Sequence, residues 1–246
     1  MNSTTYFAAA VKALEQVAAS QAGAIAAGAD LFVAAIVDKK TIYSFGASHS
    51  FMITEELVYR TGGLMLVNPI YPHGMNLFVR PLPMTSRLER LPGFGRELLG
   101  SVPAAANDVL LITSTSGRNA VVIDLALAAR EKGMKIIGIT ALAYSDAVSS
   151  RHPSGKKLKD LCDLVLDNGA PEGDAAVAIP GFAQKVGPLS TVTGCAIANA
   201  LVVETVARLV ARGVTPPVYV SANIDGGDAH NARLLAENRE RIHYLE

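Results

Sequence analysis

Three adjacent hydroxyl side chains followed by a glycine form the stretch of this sequence best suited to chemistry. Ser114, Thr115 and Ser116 come directly after the apolar run Val109–Thr113, and Gly117 follows them. Hydroxyls and backbone N–H groups can donate hydrogen bonds to a phosphate without a lysine or a metal. Three hydroxyls exceed what a helix cap needs, although Ser and Thr also favour helix starts for local reasons. The stretch favours a phosphate or anion site, with a simple helix cap as the alternative.

The elements around this loop support the same interpretation. Residues 109–113 predict a short buried strand, and the residues after the loop, up to about 132, have helical periodicity. The apolar residues of that helix are expected on one face, and Asp124 and Glu131 on another. A loop between the C-terminal end of a parallel strand and the start of a helix is where open parallel sheets bind ligands. The positive end of the helix dipole would face an anion there.

A second loop of the same kind occurs earlier in the chain. Residues 41–45 predict a strand, residues 46–50 are small and polar, and residues 51–61 predict a helix. The pattern G-x-S-x-S of this loop, which contains Ser48 and Ser50, differs from the G-x-G-x-x-G of a dinucleotide site. The chain also lacks the G-K-S/T of a P-loop, so no nucleotide cofactor is expected.

The remaining elements predict an α/β fold. Residues 2–36 predict one long or one broken helix, and the other predicted elements are strands at 64–67, 135–140 and 164–166 and helices at 94–99, near 158, at 189–212 and at 229–241. Strands alternating with helices predict a doubly wound parallel sheet with its loops on one rim. The connection 167–188 is expected to be a loop. Helix 189–212 is expected to be buried on most sides, against the sheet, at a subunit interface, or both. The C-terminal tail is expected to pack over the same rim or on a neighbouring subunit.

Composition and charge narrow the range of functions. Lys and Arg number 22, and Asp and Glu also number 22, so the chain has no net charge. Nucleic acid and anionic membrane are therefore not expected as partners. Cys162 and Cys195 have no metal-ligand spacing, and the N-terminus lacks the pattern of a secretory signal. We expect a cytoplasmic protein with reduced cysteines.

Taken together, these motifs resemble the SIS (sugar isomerase) domain. The resemblance rests on the strand ending in Gly46-x-Ser48, on residues 108–119 (DVLLITSTSGRN) and on residues 133–140 (GMKIIGIT). It covers about residues 35–215 and a family-like C-terminal arm. The chain is similar to single-domain SIS proteins described as phosphosugar isomerases, and less closely to phosphoheptose isomerase and the isomerase domain of glucosamine-6-phosphate synthase.

The resemblance implies a fold and an assembly. The fold would be a flavodoxin-like sheet of five parallel strands, in one SIS domain spanning residues 1–246. Residues 1–34 would form an N-terminal helix and residues 216–246 a C-terminal arm. Relatives build their sites between subunits, so a homodimer or a larger homo-oligomer is implied, with a phosphorylated sugar as the ligand.

The resemblance also implies residues that bind the phosphate. The hydroxyls of the S-x-S-G motif hold it in relatives, which here are Ser114, Thr115 and Ser116. A fourth hydroxyl of the family is replaced by Asn119, whose amide can still donate a hydrogen bond. The neighbouring Arg118 would add positive charge.

The resemblance implies a sugar contact in the first loop, but the metal ligands of relatives have no counterpart in this chain. Ser48 or Ser50 would contact the sugar. The glutamate in the metal motif of phosphoheptose isomerase falls at about Arg60 in this chain. Neither a metal nor a cofactor is therefore expected.

Aldose–ketose isomerisation needs a base that moves a proton between C1 and C2 and an acid that assists proton exchange at the oxygens. Glu172, Glu55, His230 and His73 are predicted for these roles from their positions, although each taken alone could be an ordinary surface or structural residue. His152 is expected to be a surface residue.

Three functions remain open from the sequence. The first is a phosphosugar isomerase that works through an enediol intermediate. The second is a phosphosugar-binding module that senses metabolites without converting them. The third is a phosphosugar ether lyase, which also abstracts a proton next to an activated carbon.

Overall fold

The computed structural model describes residues 3–245, which build a five-stranded parallel sheet with the strand order β2-β1-β3-β4-β5. The order reverses direction between β1 and β3, as in doubly wound flavodoxin-like sheets. The predicted fold class is therefore confirmed. The strands are β1 (Ile42–Gly46), β2 (Val67–Pro69), β3 (Val109–Thr113), β4 (Lys135–Thr140) and β5 (Leu164–Asp167).

Helices cover both faces of the sheet. The long first helix runs without a break past Gly23 and Gly28, and residue 2, where the sequence predicts its start, lies outside the described residues. The helices are α1 (Ser3–Val37), α2 (Phe51–Leu57), α3 (Pro83–Leu88), α4 (Phe94–Gly100), α5 (Ala120–Glu131), α6 (Leu142–Ala147), α7 (Ser190–Ala211) and α8 (Gly227–Asn238).

The two cores follow from the alternation of side chains along the strands. In β3, Val109 and Leu111 belong to the apolar cluster that α1 and α7 cover, whereas Leu110 and Ile112 belong to the cluster that α4 and α5 cover. Successive side chains of a strand point to opposite faces, so a strand buried on both sides must be apolar throughout. This is why the central strands are continuous apolar runs in the sequence.

Two helices, α1 and α7, are long and apolar enough to cross a membrane by length and composition alone. They pack against each other, and their inner residues belong to one apolar cluster with the sheet. On α7, however, Val203 and Val210 are 67% and 60% exposed. These residues belong to one narrow exposed stripe, and the rest of the helix is buried or half-buried, so the expectation that it is buried on most sides is confirmed.

The region between β1 and β2 differs from the prediction. Helix α2 ends at Leu57 rather than near residue 61, because the chain turns there to meet the C-terminal arm. Leu64 pairs with Val218 of that arm, and the amide of Met65 donates to the carbonyl of Pro217 at 2.9 Å. The apolar run 64–67 is thus buried mainly beneath the arm, and the sheet strand begins only at its last residue.

Two later segments also differ from the prediction. The connection 167–188 contains an antiparallel hairpin of β6 (Ala175–Val177) and β7 (Val186–Pro188). The C-terminal arm does not lie over the rim formed by the C-terminal ends of the strands. Arg241 instead donates to the carbonyls of Ile36 and Lys40, at the edge where β1 begins. Backbone pairing with residues near β2 holds the arm there.

The loop after β1 requires a glycine at position 46. A β-carbon there would lie 2.3 Å from the carbonyl oxygen of Ser50, so Gly46→Ala should lower the free energy of unfolding by about 1–3 kcal/mol, the range for overpacked sites. Urea denaturation measures the change. The matched control is Gly23→Ala in α1, where nothing lies within 4 Å, and we expect a gain of about 0.5–1 kcal/mol. Wild-type stability of Gly46→Ala would contradict the close approach.

Candidate functional site

The two loops predicted to bind a ligand face each other across a cleft of about 250 Å³. The cleft lies at the C-terminal ends of β1 and β3, between which the strand order reverses. Such a switch point is the general position of ligands in doubly wound sheets. The cleft is lined by Ala47, Ser48, His49, Ser50, Glu89, Ser114, Thr115, Ser116, Asn119, Tyr144, Gly173 and Asp174.

The first wall is the tight turn after β1. Ser48 adopts a left-handed backbone conformation with φ of 52°, which is uncommon for a residue other than glycine. Its amide donates to the carbonyl of Met75 at 2.9 Å, and the amide of Ser50 donates to the carbonyl of Ala47 at 3.1 Å. These backbone bonds fix the turn and direct Ser48 and Ser50 to the cleft.

The second wall is the hydroxyl loop after β3. Ser114 accepts a hydrogen bond from the amide of Gly117 at 3.3 Å, and Gly117 has φ of 61°. Within the described residues, the side-chain hydroxyls of Thr115 and Ser116 make no hydrogen bond and line the cleft. Helix α5 begins only at Ala120, and no side chain caps it. The hydroxyls are therefore not explained as helix caps.

A carboxylate that the sequence analysis missed joins the two walls. Glu89 follows α3, and its Oε1 accepts a hydrogen bond from the hydroxyl of Ser48 at 2.5 Å. Its Oε2 accepts one from the side-chain amide of Asn119 at 2.7 Å. Both oxygens are thus held, one by each loop, and the carboxylate lies within the cleft. No motif marks Glu89, because it lies in the proline-containing stretch between β2 and β3, where the sequence has no clear periodicity.

The third wall comes from the connection between β5 and α7. Asp174 has φ of 67°, and its carboxylate accepts bonds from the amides of Leu189 and Ser190 at 3.1 and 2.7 Å. The hydroxyl of Ser190 donates to the same carboxylate at 2.6 Å. The negative charge of Asp174 therefore faces the positive end of the α7 dipole rather than the cleft.

A buried acid–imidazole pair supports the hydroxyl loop from behind. Nε2 of His152 lies 2.9 Å from Oδ1 of Asp124, and their side chains are only 10% and 11% exposed. Oδ2 of Asp124 accepts the amide of Gly93 at 2.6 Å. The expectation that His152 is a surface residue is wrong, because its imidazole and the carboxylate of Asp124 satisfy each other when buried.

The four residues predicted for acid–base chemistry lie at different places around the cleft and beyond it. Glu172 is exposed and adjoins Gly173, which lines the cleft. Glu55 lines a neighbouring apolar hollow, and His73 is exposed beside Tyr71. His230 lines a separate hollow against Ile36 and Arg241, at the opposite edge of the sheet. Within one chain, the fold does not bring these residues together.

The potential metal ligands and the two cysteine thiols can be located within the described part of the chain. Among residues 3–245, no group of three or more His, Cys, Asp or Glu side chains is arranged to hold a metal ion. Both cysteines are free. Burial raises the pKa of Cys162 to about 12 and that of Cys195 to about 11, so neither thiol is primed as a nucleophile at neutral pH.

The fold and the cleft define a class of protein. A doubly wound parallel sheet with a hydroxyl-rich cleft at its switch point is a ligand-binding α/β domain, and the free donors of its loop suit an oxyanion.

The family follows from comparison with known proteins: residues 5–141 match the SIS domain, and the chain belongs to this family. It is 48% identical to a UPF0309 protein of Shouchella clausii over 217 residues, which cover 88% of each chain. It is 43% identical to a UPF0309 protein of Oceanobacillus iheyensis over 240 residues, 98% of each chain.

Solved structures show the same fold. Phosphoheptose isomerase from Neisseria gonorrhoeae superposes with a TM-score of 0.55 at 17% identity, over 83% of this chain and 96% of that one. Phosphoheptose isomerase from Francisella tularensis gives a TM-score of 0.54 at 16% identity, over 83% and 98%. These structures share the predicted fold, and the match of residues 5–141 confirms the resemblance to the SIS domain inferred from the sequence.

The buried pair should stabilise the segment behind the hydroxyl loop. We expect His152→Ala to lower the free energy of unfolding by about 1.5–3 kcal/mol, since Asp124 loses a partner to its charge. Hydrogen exchange should accelerate at the amides of Arg151 and Leu158, which bond to residues 118 and 117. The control is His49→Ala, because His49 is exposed. An equal fall in the free energy of unfolding in both variants would show that the contact between His152 and Asp124 does not stabilise the protein.

Proposed function

We propose that this protein is a cytoplasmic enzyme of carbohydrate metabolism, an aldose–ketose isomerase that binds a phosphorylated sugar in the cleft and works through an enediol. The observation that carries the proposal is the juxtaposition of free hydroxyl donors on one loop with a carboxylate held between both loops. The names of the phosphoheptose isomerases with the same fold are consistent with it.

The phosphate would lie against Ser114, Thr115 and Ser116. The hydroxyls of the last two residues are free to donate, and the N-terminus of α5 lies directly behind the loop. Aligned N–H groups and the helix dipole stabilise an anion at such a position without a buried cation. Asn119 supplies an amide at the loop's end, and Arg118 supplies charge beside it.

Glu89 is the base that the geometry favours. In the aldose-to-ketose direction, the carboxylate would take the proton from C2 while the oxygen on C1 gains a proton, which gives the enediol. The enediol would then lose the proton from the oxygen on C2 and gain one at C1, which gives the ketose. Ser48 and Asn119 orient the carboxylate through its two oxygens, and His49 of the first loop is a suitable acid for the oxygen atoms.

The other predicted acid–base residues keep narrower roles in this proposal. Glu172 is the nearest rival of Glu89, because the residue next to it lines the cleft. Glu55 and His73 lie beside the first loop and would contact the sugar only if it extends past Ser48. His230 could take part only in the cleft of a partner subunit.

We also propose a homodimer or larger homo-oligomer as the working form. Large apolar side chains are exposed along α1 and α7, among them Phe7 at 66%, Val11 at 53% and Val203 at 67%. Burying such a surface against a second copy would be favourable. Sedimentation equilibrium would give the mass of a dimer or of a larger assembly, and a monomer at micromolar concentration would contradict this part of the proposal.

Isomerisation predicts hydrogen exchange with solvent. When the protein is incubated in D₂O with a panel of sugar 5-phosphates and 6-phosphates, NMR should detect deuterium at C1 of a ketose or C2 of an aldose. Glu89→Gln should slow that exchange by about 10²- to 10⁴-fold, the usual contribution of a positioned acid or base. The rival variant is Glu172→Gln, and Glu97→Gln on α4 is the control.

The outcomes separate the three functions left open by the sequence. Exchange without release of an alcohol supports the isomerase, whereas release of an alcohol would identify an ether lyase. Binding without exchange across the whole panel would contradict catalysis and leave a sensing module. If Glu172→Gln lowers the rate of deuterium exchange more than Glu89→Gln does, the base is Glu172, beside the third wall of the cleft.

The hydroxyl loop can be tested by binding alone. We expect Ser116→Ala to weaken binding of the phosphosugar by about 1–3 kcal/mol, the range for losing a hydrogen bond to a charged group. Isothermal titration calorimetry measures the change, and Ser20→Ala on the exposed surface of α1 is the control. An unchanged dissociation constant would remove Ser116 from the site.

A further inference from the structure

Three arginines lie together beside the cleft. Arg90 directly follows Glu89, Arg118 lies in the hydroxyl loop, and Arg151 belongs to the segment after α6. The amide of Arg151 donates to the carbonyl of Arg118 at 2.8 Å, which brings the two segments into register. The guanidinium of Arg118 donates to the hydroxyl of Ser149 at 3.3 Å, on the same segment as Arg151.

Asn119 is the wall between these arginines and the cleft. Its Oδ1 accepts a hydrogen bond from Arg151 at 3.0 Å, and its Nδ2 donates to Glu89, which lines the cleft. The side-chain amide therefore has one end towards the arginines and the other towards the ligand site. The guanidinium of Arg151 is separated from the cleft by little more than the width of this amide.

The positive charges of this group are only partly neutralised within residues 3–245. Arg90, Arg118 and Arg151 form no salt bridge there, whereas arginines elsewhere do, as in the pairs of Arg96 with Glu131 and of Arg208 with Asp30 and Glu204. The neighbouring carboxylate of Glu89 offsets part of this charge, as one negative group against three positive ones. Burial and the positive charges of Arg118 and Arg90 lower the pKa of Arg151, as expected for cations that repel each other.

The hydrogen bond from Arg151 to Asn119 does not explain why three arginines lie together. Arg151 alone makes the contact with Asn119, and a neutral donor could do the same. Placing Arg118 and Arg90 close to it adds repulsion without adding a contact to the amide. An anion at the same place would remove the repulsion, and guanidinium groups suit phosphate and carboxylate oxygens through paired donors.

We propose that Arg90, Arg118 and Arg151 form a second anion subsite, which takes a second phosphoryl or carboxylate group of the ligand. This inference rests on the proposed function, since the first phosphate occupies the hydroxyl loop. It narrows the substrate class from any sugar phosphate to a sugar phosphate that carries a further anionic group. Asn119 and Arg118, which lie between the two subsites, are then shared by both.

The test compares ligands that differ by one anionic group. Titration calorimetry would measure fructose 6-phosphate against fructose 1,6-bisphosphate, and glucose 6-phosphate against 6-phosphogluconate. We expect the doubly anionic member of at least one pair to bind about tenfold or more tightly to the wild type. The double variant Arg90→Gln/Arg151→Gln, which keeps Arg118, should lose this preference while its dissociation constant for the monophosphate stays within about threefold. Arg212→Gln, at the exposed end of α7, should keep the preference.

The outcomes distinguish this inference from the function on which it rests. No preference in the wild type across both pairs would overturn the second subsite. An equal loss for both members in the double variant would also overturn it, because the arginines would then serve the first phosphate. Circular dichroism would establish that the double variant is folded. Failure of the wild type to bind any of the four ligands would contradict the phosphate loop itself, and the second subsite with it.

Discussion

The carboxylate of Glu89 is the constraint on which the geometry of the cleft depends. Parallel strands β1 and β3 bring two loops to the same edge, but they do not by themselves fix the gap between them. Glu89 does so by accepting hydrogen bonds from Ser48 on one side and Asn119 on the other. Both donors were expected to contact the ligand directly. They also hold the carboxylate that we propose acts on it, whereas the hydroxyls of Thr115 and Ser116 have no partner among the described residues.

The sequence predicts the parts of this protein that are determined locally. Strands β3 and β4 have the predicted bounds, since a strand buried on both faces must be a continuous apolar run that ends where polar residues begin. The loop between β3 and α5 was found for the same reason. The apolar run 64–67 fits the same rule but lies mainly under the C-terminal arm, because a distant segment competes with the sheet for it. Periodicity cannot reveal that competition.

The rest of the site depends on contacts between residues far apart in the chain. Glu89 and His152 lie in stretches without regular periodicity, and each acquires its role only from a partner that the fold supplies. The sequence offers one signal for them. Binding and catalytic residues are concentrated on loops that a rigid scaffold positions. A carboxylate or an imidazole in a long irregular connection is therefore a candidate for contact with the other loops at the same edge of the sheet.

The hydrogen bonds of Asp174 have a mechanical consequence. They attach a wall of the cleft to the first turn of α7, a helix of 22 residues that spans about 33 Å. That helix packs along α1 and α2 and contributes to the apolar core, so the hydrogen bonds of Asp174 anchor this wall of the cleft to the core itself.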